Sequence, residues 1–345
     1  MSVPERERAE PAKTMLRTAN RGRKAVDPAS YRFAPATGDA TVFDPEDPPR
    51  VEPSAPVAAA VHVALAEGHY LLGLNTPKAR EGDPEGVHQL RTTTRRLRTA
   101  LELFQGVVEL GWAERLVDEL KWLAGLLGTV RDLDVLTDRL LSHAEVLDGG
   151  TARALDILFD ELRGRHRAAS ETLREALGGE RFAGLAAELA GAVDHVPLTD
   201  DAWQPCRTVL PQRVAHAWKR LKRDGRALEP SAPDEAFHAV RKRAKRARYA
   251  AEAVRHALAP AEAHAAGRFA RGARAVQDVL GAHQDAVVAA NLLQQAAADR
   301  PTLGPFNFAA GRLLEVENRL AAGSRARFFK VWGKLDQRKL VRWLS

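Results

Sequence analysis

One sixteen-residue pattern occurs twice in this chain, 150 positions apart, and it restricts the fold more than any other feature. Residues 87–102 read VHQLRTTTRRLRTALE and residues 237–252 read FHAVRKRAKRARYAAE. The matched positions are His88/His238, Arg91/Arg241, Arg95/Lys245, Arg96/Arg246, Arg98/Arg248 and Glu102/Glu252. A second block follows each copy, Leu127-Gly128-Thr129-Val130-Arg131-Asp132 against Leu280-Gly281-Ala282-His283-Gln284-Asp285, at an offset of 153. Two ordered blocks at nearly one offset mark a duplicated unit. A chain of 345 residues is long enough for one domain built twice, joined near 195–205.

The duplicated unit is helical. The body is rich in Ala, Leu, Arg and Glu, which are good helix formers, and aromatics are only 6%. Alternating Val, Ile, Thr and aromatic runs, the mark of strands, are missing. The expected fold class is all-α: two pseudo-symmetric helical bundles with a basic central cavity or groove. Residues 57–200 form the first half and 201–345 the second. Nine of the nineteen prolines fall in residues 1–56. Proline fixes φ and removes an amide donor, so this proline-rich arm is extended or partly disordered. Gly and Pro breaks along the body, among them Gly73, Pro211, Gly281 and Gly323, suit helices of about 12–25 residues.

Helical periodicity divides the repeated segment into two stripes. Val87, Leu90, Thr94, Leu97, Leu101 and Phe104 recur at steps of three and four, as do Phe237, Val240, Ala244, Ala247, Ala251 and Val254. That pattern faces a core. About 100° round the helix run His88, Arg91, Arg95 and Arg98, matched by His238, Arg241, Lys245 and Arg248. Each stripe covers about 15 Å of helix. Like charges at i, i+3 and i+4 cost roughly 0.2–0.5 kcal/mol per pair, yet the arrangement occurs in both halves. A plain solvated helix more often interleaves acids on such a face. The stripes therefore suit a repeating polyanion, with one cation after another along the axis.

Other basic segments add to the field. Arg213, Lys219 and Arg220 lie in 212–226, and Arg327, Lys330 and Lys334 recur at helical spacing near the C-terminus. These are candidate contributors to the basic site, with a solvated face as the alternative. The matched acids Asp132 and Asp285 either orient motif cations or cap a helix. His88 and His238 suit phosphate contact or a helix-start role, with metal ligation and a plain packing role as the alternatives.

Several chemistries are disfavoured. One cysteine, Cys206, rules out an intramolecular disulfide and cysteine-based metal sites. No His-x-x-x-His or His/carboxylate cluster has convincing metal spacing, no GxxxxGK[ST] loop occurs, and no Ser/His/Asp or Cys/His arrangement is credible. No metal site, cofactor or catalytic residue is expected. The charged start and the lack of about 18 uncharged apolar residues in a row argue against a signal peptide or membrane span. A cytoplasmic protein follows. Its net charge of +7 calls for an anionic partner.

At 87–104 and 237–254, supported by the blocks at 126–136 and 279–288, the sequence resembles the CHAD family, named for a conserved-histidine α-helical domain. The resemblance covers about 57–345. It implies two helical bundles around a basic cavity or pore, binding of inorganic polyphosphate, and association of some members with polyphosphate granules. Carried over by motif, the polyphosphate-binding residues are the eight of the two stripes. The CYTH domain that often accompanies CHAD domains has no counterpart here: Glu5-Arg6-Glu7-Arg8-Ala9 lacks its lysine. The resulting expectation is a stand-alone, non-catalytic polyphosphate-binding protein. The alternatives are a nucleic-acid-binding protein, for which Tyr249 is the lone stacking candidate in the stripes, a metal-dependent polyphosphate-processing enzyme, and a scaffold recruiting granule-associated proteins through its arm.

Overall fold

The computed structural model describes residues 51–145 and 147–344; the proline-rich arm up to residue 50 lies outside them. Among the described residues the chain is helical, with three isolated β-bridges and no named strand. The first set of helices is α1 (Val57–Arg80), α2 (Pro84–Leu103), α3 (Leu110–Ala144), α4 (Gly149–Arg153), α5 (Asp156–Gly178) and α6 (Glu180–Asp194). A 3-10 turn, Asp200–Trp203, leads into α7 (Cys206–Arg226), α8 (Asp234–Val254), α9 (Pro260–Ala298), α10 (Gly304–Leu335) and α11 (Arg338–Val341).

The two sets pack in the same order. In the first, α1 lies on α2, α2 on α3 and α3 on α5; in the second, α7 lies on α8, α8 on α9 and α9 on α10. The repeated helices α2 and α8 also touch each other. Where α1 and α7 begin, the Val57 amide donates to the Gln204 carbonyl (2.9 Å) and the Cys206 amide to the Ala55 carbonyl (2.9 Å). Pro56 and Pro205 thus sit opposite one another in antiparallel register, as duplicated segments do about a local two-fold axis.

Local chemistry explains the repeated helices. Asp83 caps α2, accepting from the Glu85 and Gly86 amides (3.4 and 2.8 Å), and Pro84 occupies the first helical turn. The α8 start has no side-chain cap and instead places Asp234 and Glu235 in its first turn, favourable to the helix dipole. All twelve positions of the two apolar stripes are buried. On α8 that stripe is largely alanine, and the second half fills its core with Trp218, Phe269, Phe328 and Trp332, stacked or edge-on at 5.5–6.0 Å. A second apolar core lies beyond the first, between α3, α5, α9 and α10.

Helix lengths depart from expectation. α3, α9 and α10 run 35, 39 and 32 residues. Gly73, Gly281 and Gly323 lie inside helices, and Pro211 lies in the second turn of α7. An interior glycine costs about 1 kcal/mol against alanine, too little to end a helix whose apolar face is buried. Likewise, α1 is long and apolar enough to cross a membrane, with a mean hydropathy of 1.4 over 18 residues. Its packing against α2 and α6 accounts for that apolarity.

Candidate functional site

The two basic stripes face one another. All eight side chains, His88, Arg91, Arg95 and Arg98 on α2 with His238, Arg241, Lys245 and Arg248 on α8, are half-buried. The guanidiniums of Arg95 and Arg248 both lie over the Tyr249 ring, 4.9 Å from its centre. Tyr249 is buried there, so the residue considered for base stacking is engaged by two arginines.

Convergence of like charge shows in the titrating groups. Burial, followed by Arg95, Arg241, Arg91 and Arg98, lowers the Lys245 ammonium to about 7. Burial is also the main cause pushing Arg95 below its ordinary value; Arg91, Arg248 and Arg96 act with it and Tyr249 against it. His238 is lowered by burial and then by Lys242, with Arg241 and Lys245 adding and a hydrogen bond to Gln284 opposing. The protein leaves several of these groups short of acceptors. Nε of Arg95, Arg98 and Arg241 and Nδ1 of His238 are buried without a protein hydrogen-bond partner. Buried donors normally find one.

The matched acids lie among the motif cations, and Asp132 pairs with one of them. Both lie in mid-helix, Asp132 on α3 and Asp285 on α9, so neither is a cap. Arg91 Nη2 donates to Asp132 Oδ1 (3.1 Å). Asp285 is raised chiefly by burial, opposed by Arg241 and Arg139. The matched glycines of the same blocks lie beside the arginines at ordinary contact distance. A Cβ on Gly128 would lie 3.8 Å from Nε and Nη2 of Arg91, and one on Gly281 would lie 3.7 Å from Arg241 Nε. Their repetition was visible in the sequence; their place beside the arginines was not.

Other supports were not singled out from the sequence, although Glu252 and His283 lie within the repeated segments. Arg139 donates twice to the fully buried carboxylate of Glu317 (2.8 and 2.6 Å), which also meets His143 Nδ1 at 2.7 Å. Arg248 is held by Glu252 (2.8 Å) and Gln277 (3.3 Å). Arg325 Nε donates to the buried His283 Nε2 (3.1 Å) and Nη2 donates to Asp234, while its guanidinium covers Phe237. The corresponding first-half positions, Val87, Val130 and Pro84, line a cavity of about 590 Å³ instead. The duplicated halves have diverged at that point.

The remaining basic candidates stand elsewhere. Lys219 on α7 and Arg327, Lys330 and Lys334 on α10 are exposed. Arg213 and Arg220 line a separate cavity between the end of α2, α7 and α8, together with Arg243 and Arg246. Arg243 and Arg246 point roughly 140–200° round α8 from Arg241 at 100° per residue, away from the stripe. No group of three or more His, Cys, Asp or Glu fit to hold a metal is present among the described residues.

Residues 69–294 match the CHAD domain family. Two proteins of Mycobacterium tuberculosis, Uncharacterized protein MT2285 (strain CDC 1551 / Oshkosh) and Uncharacterized protein Rv2226 (strain ATCC 25618 / H37Rv), are each 32% identical over 290 residues. The match takes in 82% of this chain and 54% of each relative, so the chain spans about half their length. Among solved structures, the CHAD domain from the plant Ricinus communis aligns with a TM-score of 0.67 at 26% identity, over 85% of this chain and 97% of that one. PptA from Streptomyces chartreusis shares the fold, with a TM-score of 0.67 at 24% identity over 81% of this chain and all of that one.

Proposed function

Since the chain belongs to the CHAD-domain family, a family known to bind inorganic polyphosphate, we propose that it binds long-chain polyphosphate between α2 and α8, without catalysis, in the cytoplasm and at polyphosphate granules. The observation that carries this reading is the set of facing cations whose buried donors lack protein acceptors. Phosphate oxygens supply acceptors at the required density. Arginine gives bidentate contacts, and lysine a point charge. A polyanion also opposes the burial and the arginine repulsion that together hold Lys245 near 7.

A nucleic acid would meet the same field, but Tyr249 is buried beneath Arg95 and Arg248 and offers no platform for a base. The test is calorimetric titration with long-chain polyphosphate at about 150 mM salt, with RNA of matched charge as competitor. Tight binding that RNA does not displace is expected, with a loss of at least tenfold in the Arg91→Ala/Arg241→Ala double variant. Unchanged affinity in that variant would refute the site. Equal affinity for both polymers would reduce it to a generic polyanion surface.

A further inference from the structure

The cavity lined by Arg213 and Arg220 has a chemistry unlike that of the stripes. Its volume is about 660 Å³, inside the range of small-molecule sites. Two of its four arginines are already committed: Arg243 to Asp224 (3.0 Å) and Arg246 to Glu102 (3.4 Å). Arg213 and Arg220 have no ion pair among the described residues. They stand seven residues apart on α7, on one face and about 10.5 Å apart along the axis, with His216 between them. The opposite character lies close by. Leu103, Val209, Ala217 and Ala250 give the cavity an apolar lining. Glu102 and Asp201 contribute carboxylates at its edge, and Asp201 is held by Gln204 Nε2 (2.8 Å).

A bare polyphosphate would meet two acids here and gain nothing from apolar walls. A ligand with an anionic end and a neutral, donor-bearing, flat end uses every part. Its phosphates would pair with Arg213 and Arg220, its ring would cover the apolar lining, and its amino or hydroxyl groups would donate to Asp201 and Glu102. We propose that this cavity is a second site, separate from the polyphosphate stripes, that binds a nucleoside polyphosphate.

ATP is the probe, titrated calorimetrically into the full chain and into two double variants. Arg213→Gln/Arg220→Gln is expected to lose at least tenfold in ATP affinity while long-chain polyphosphate affinity stays within twofold. Arg91→Ala/Arg241→Ala is expected to leave ATP affinity within twofold. Asp201→Asn serves as a milder variant, lowering affinity for ATP but not for tripolyphosphate. The proposal falls if wild-type protein shows no ATP binding at millimolar concentration, or if the loss tracks the stripe variant. It also falls if tripolyphosphate binds the cavity as tightly as ATP does. A failure of polyphosphate binding at the stripes would leave these ATP outcomes readable, because each compares variants of the cavity itself.

Discussion

Lys245 carries the sharpest consequence at the scale of single residues. Its pKa of about 7 lies below the ordinary 10.5 because burial and four arginines disfavour its charge. Below pH 7 it is protonated in both folded and unfolded chains, and the cost of its charge is fully present. Between about 7 and 10.5 the folded state binds fewer protons, so its contribution to stability improves as pH rises. A bound polyanion acts in the opposite direction and restores the proton. At about pH 8, polyphosphate binding should therefore take up close to one proton through this side chain. Calorimetry in two buffers of different ionisation enthalpy reads that number directly. Lys245→Met should abolish the uptake and weaken binding, yet raise the thermal midpoint of the free protein near pH 6, where the wild-type cation is most costly. Uptake that persists in Lys245→Met would assign the proton to another group, His238 being next in line because burial and its cationic neighbours lower it too. The stripe itself was legible from residue spacing. The shift of Lys245 was not, because it depends on how far α8 approaches α2.

Within the helices, glycine separates packing from site-building. A Cβ at Gly225 would come within 2.4 Å of the Trp332 ring, and one at Gly68 within 2.1 Å of Leu97. These glycines let neighbouring elements approach closely. At Gly281 the nearest side-chain atom would be Arg241 Nε at 3.7 Å, an ordinary contact. Gly225→Ala is thus expected to destabilise by about 1–3 kcal/mol through overpacking against an aromatic ring. Gly281→Ala should be neutral or stabilising by up to about 1 kcal/mol, since it only reduces the freedom of the unfolded chain. Urea denaturation of the two variants checks the contrast, and equal destabilisation would show that Gly281 also serves close packing. The same residues explain where sequence reading of helix ends failed. Gly73, Gly281 and Gly323 have the form of breaks, but a local penalty near 1 kcal/mol yields to burial along a long apolar face. The core stripes were legible because their period is intrinsic to the helix. The aromatic filling opposite the alanines of α8 was not, because Trp218, Phe269, Phe328 and Trp332 come from three different helices.

Across the whole molecule, the two repeated basic helices α2 and α8 come into contact, and the polymer is proposed to bind between them. The close approach of α2 and α8, anchored by the Pro56/Pro205 pairing and by a shared core, sets Arg91 and Arg241 among common acids and cations. Repetition in the sequence is consistent with the common packing order of the two halves. It did not foretell their divergence at Val130 and His283, where the first half keeps a cavity and the second an Arg325-centred cluster. The functional question is whether both halves still act on one ligand. Each phosphate neutralised in a nucleic acid contributes about 0.7–0.9 to the slope of log K against log salt. By the same counterion argument, Arg91→Ala and Arg241→Ala should each lower the polyphosphate slope by about one unit, and the double variant by about two. Their affinity losses should be similar, because the two arginines occupy matched seats beside Gly128 and Gly281. A slope that responds to one half alone would mean that the second stripe has become structural. Equal responses would mean that one polymer spans both halves, so that binding also resists their separation, stabilising the fold by about 2.7 kcal/mol at a ligand concentration one hundred times Kd.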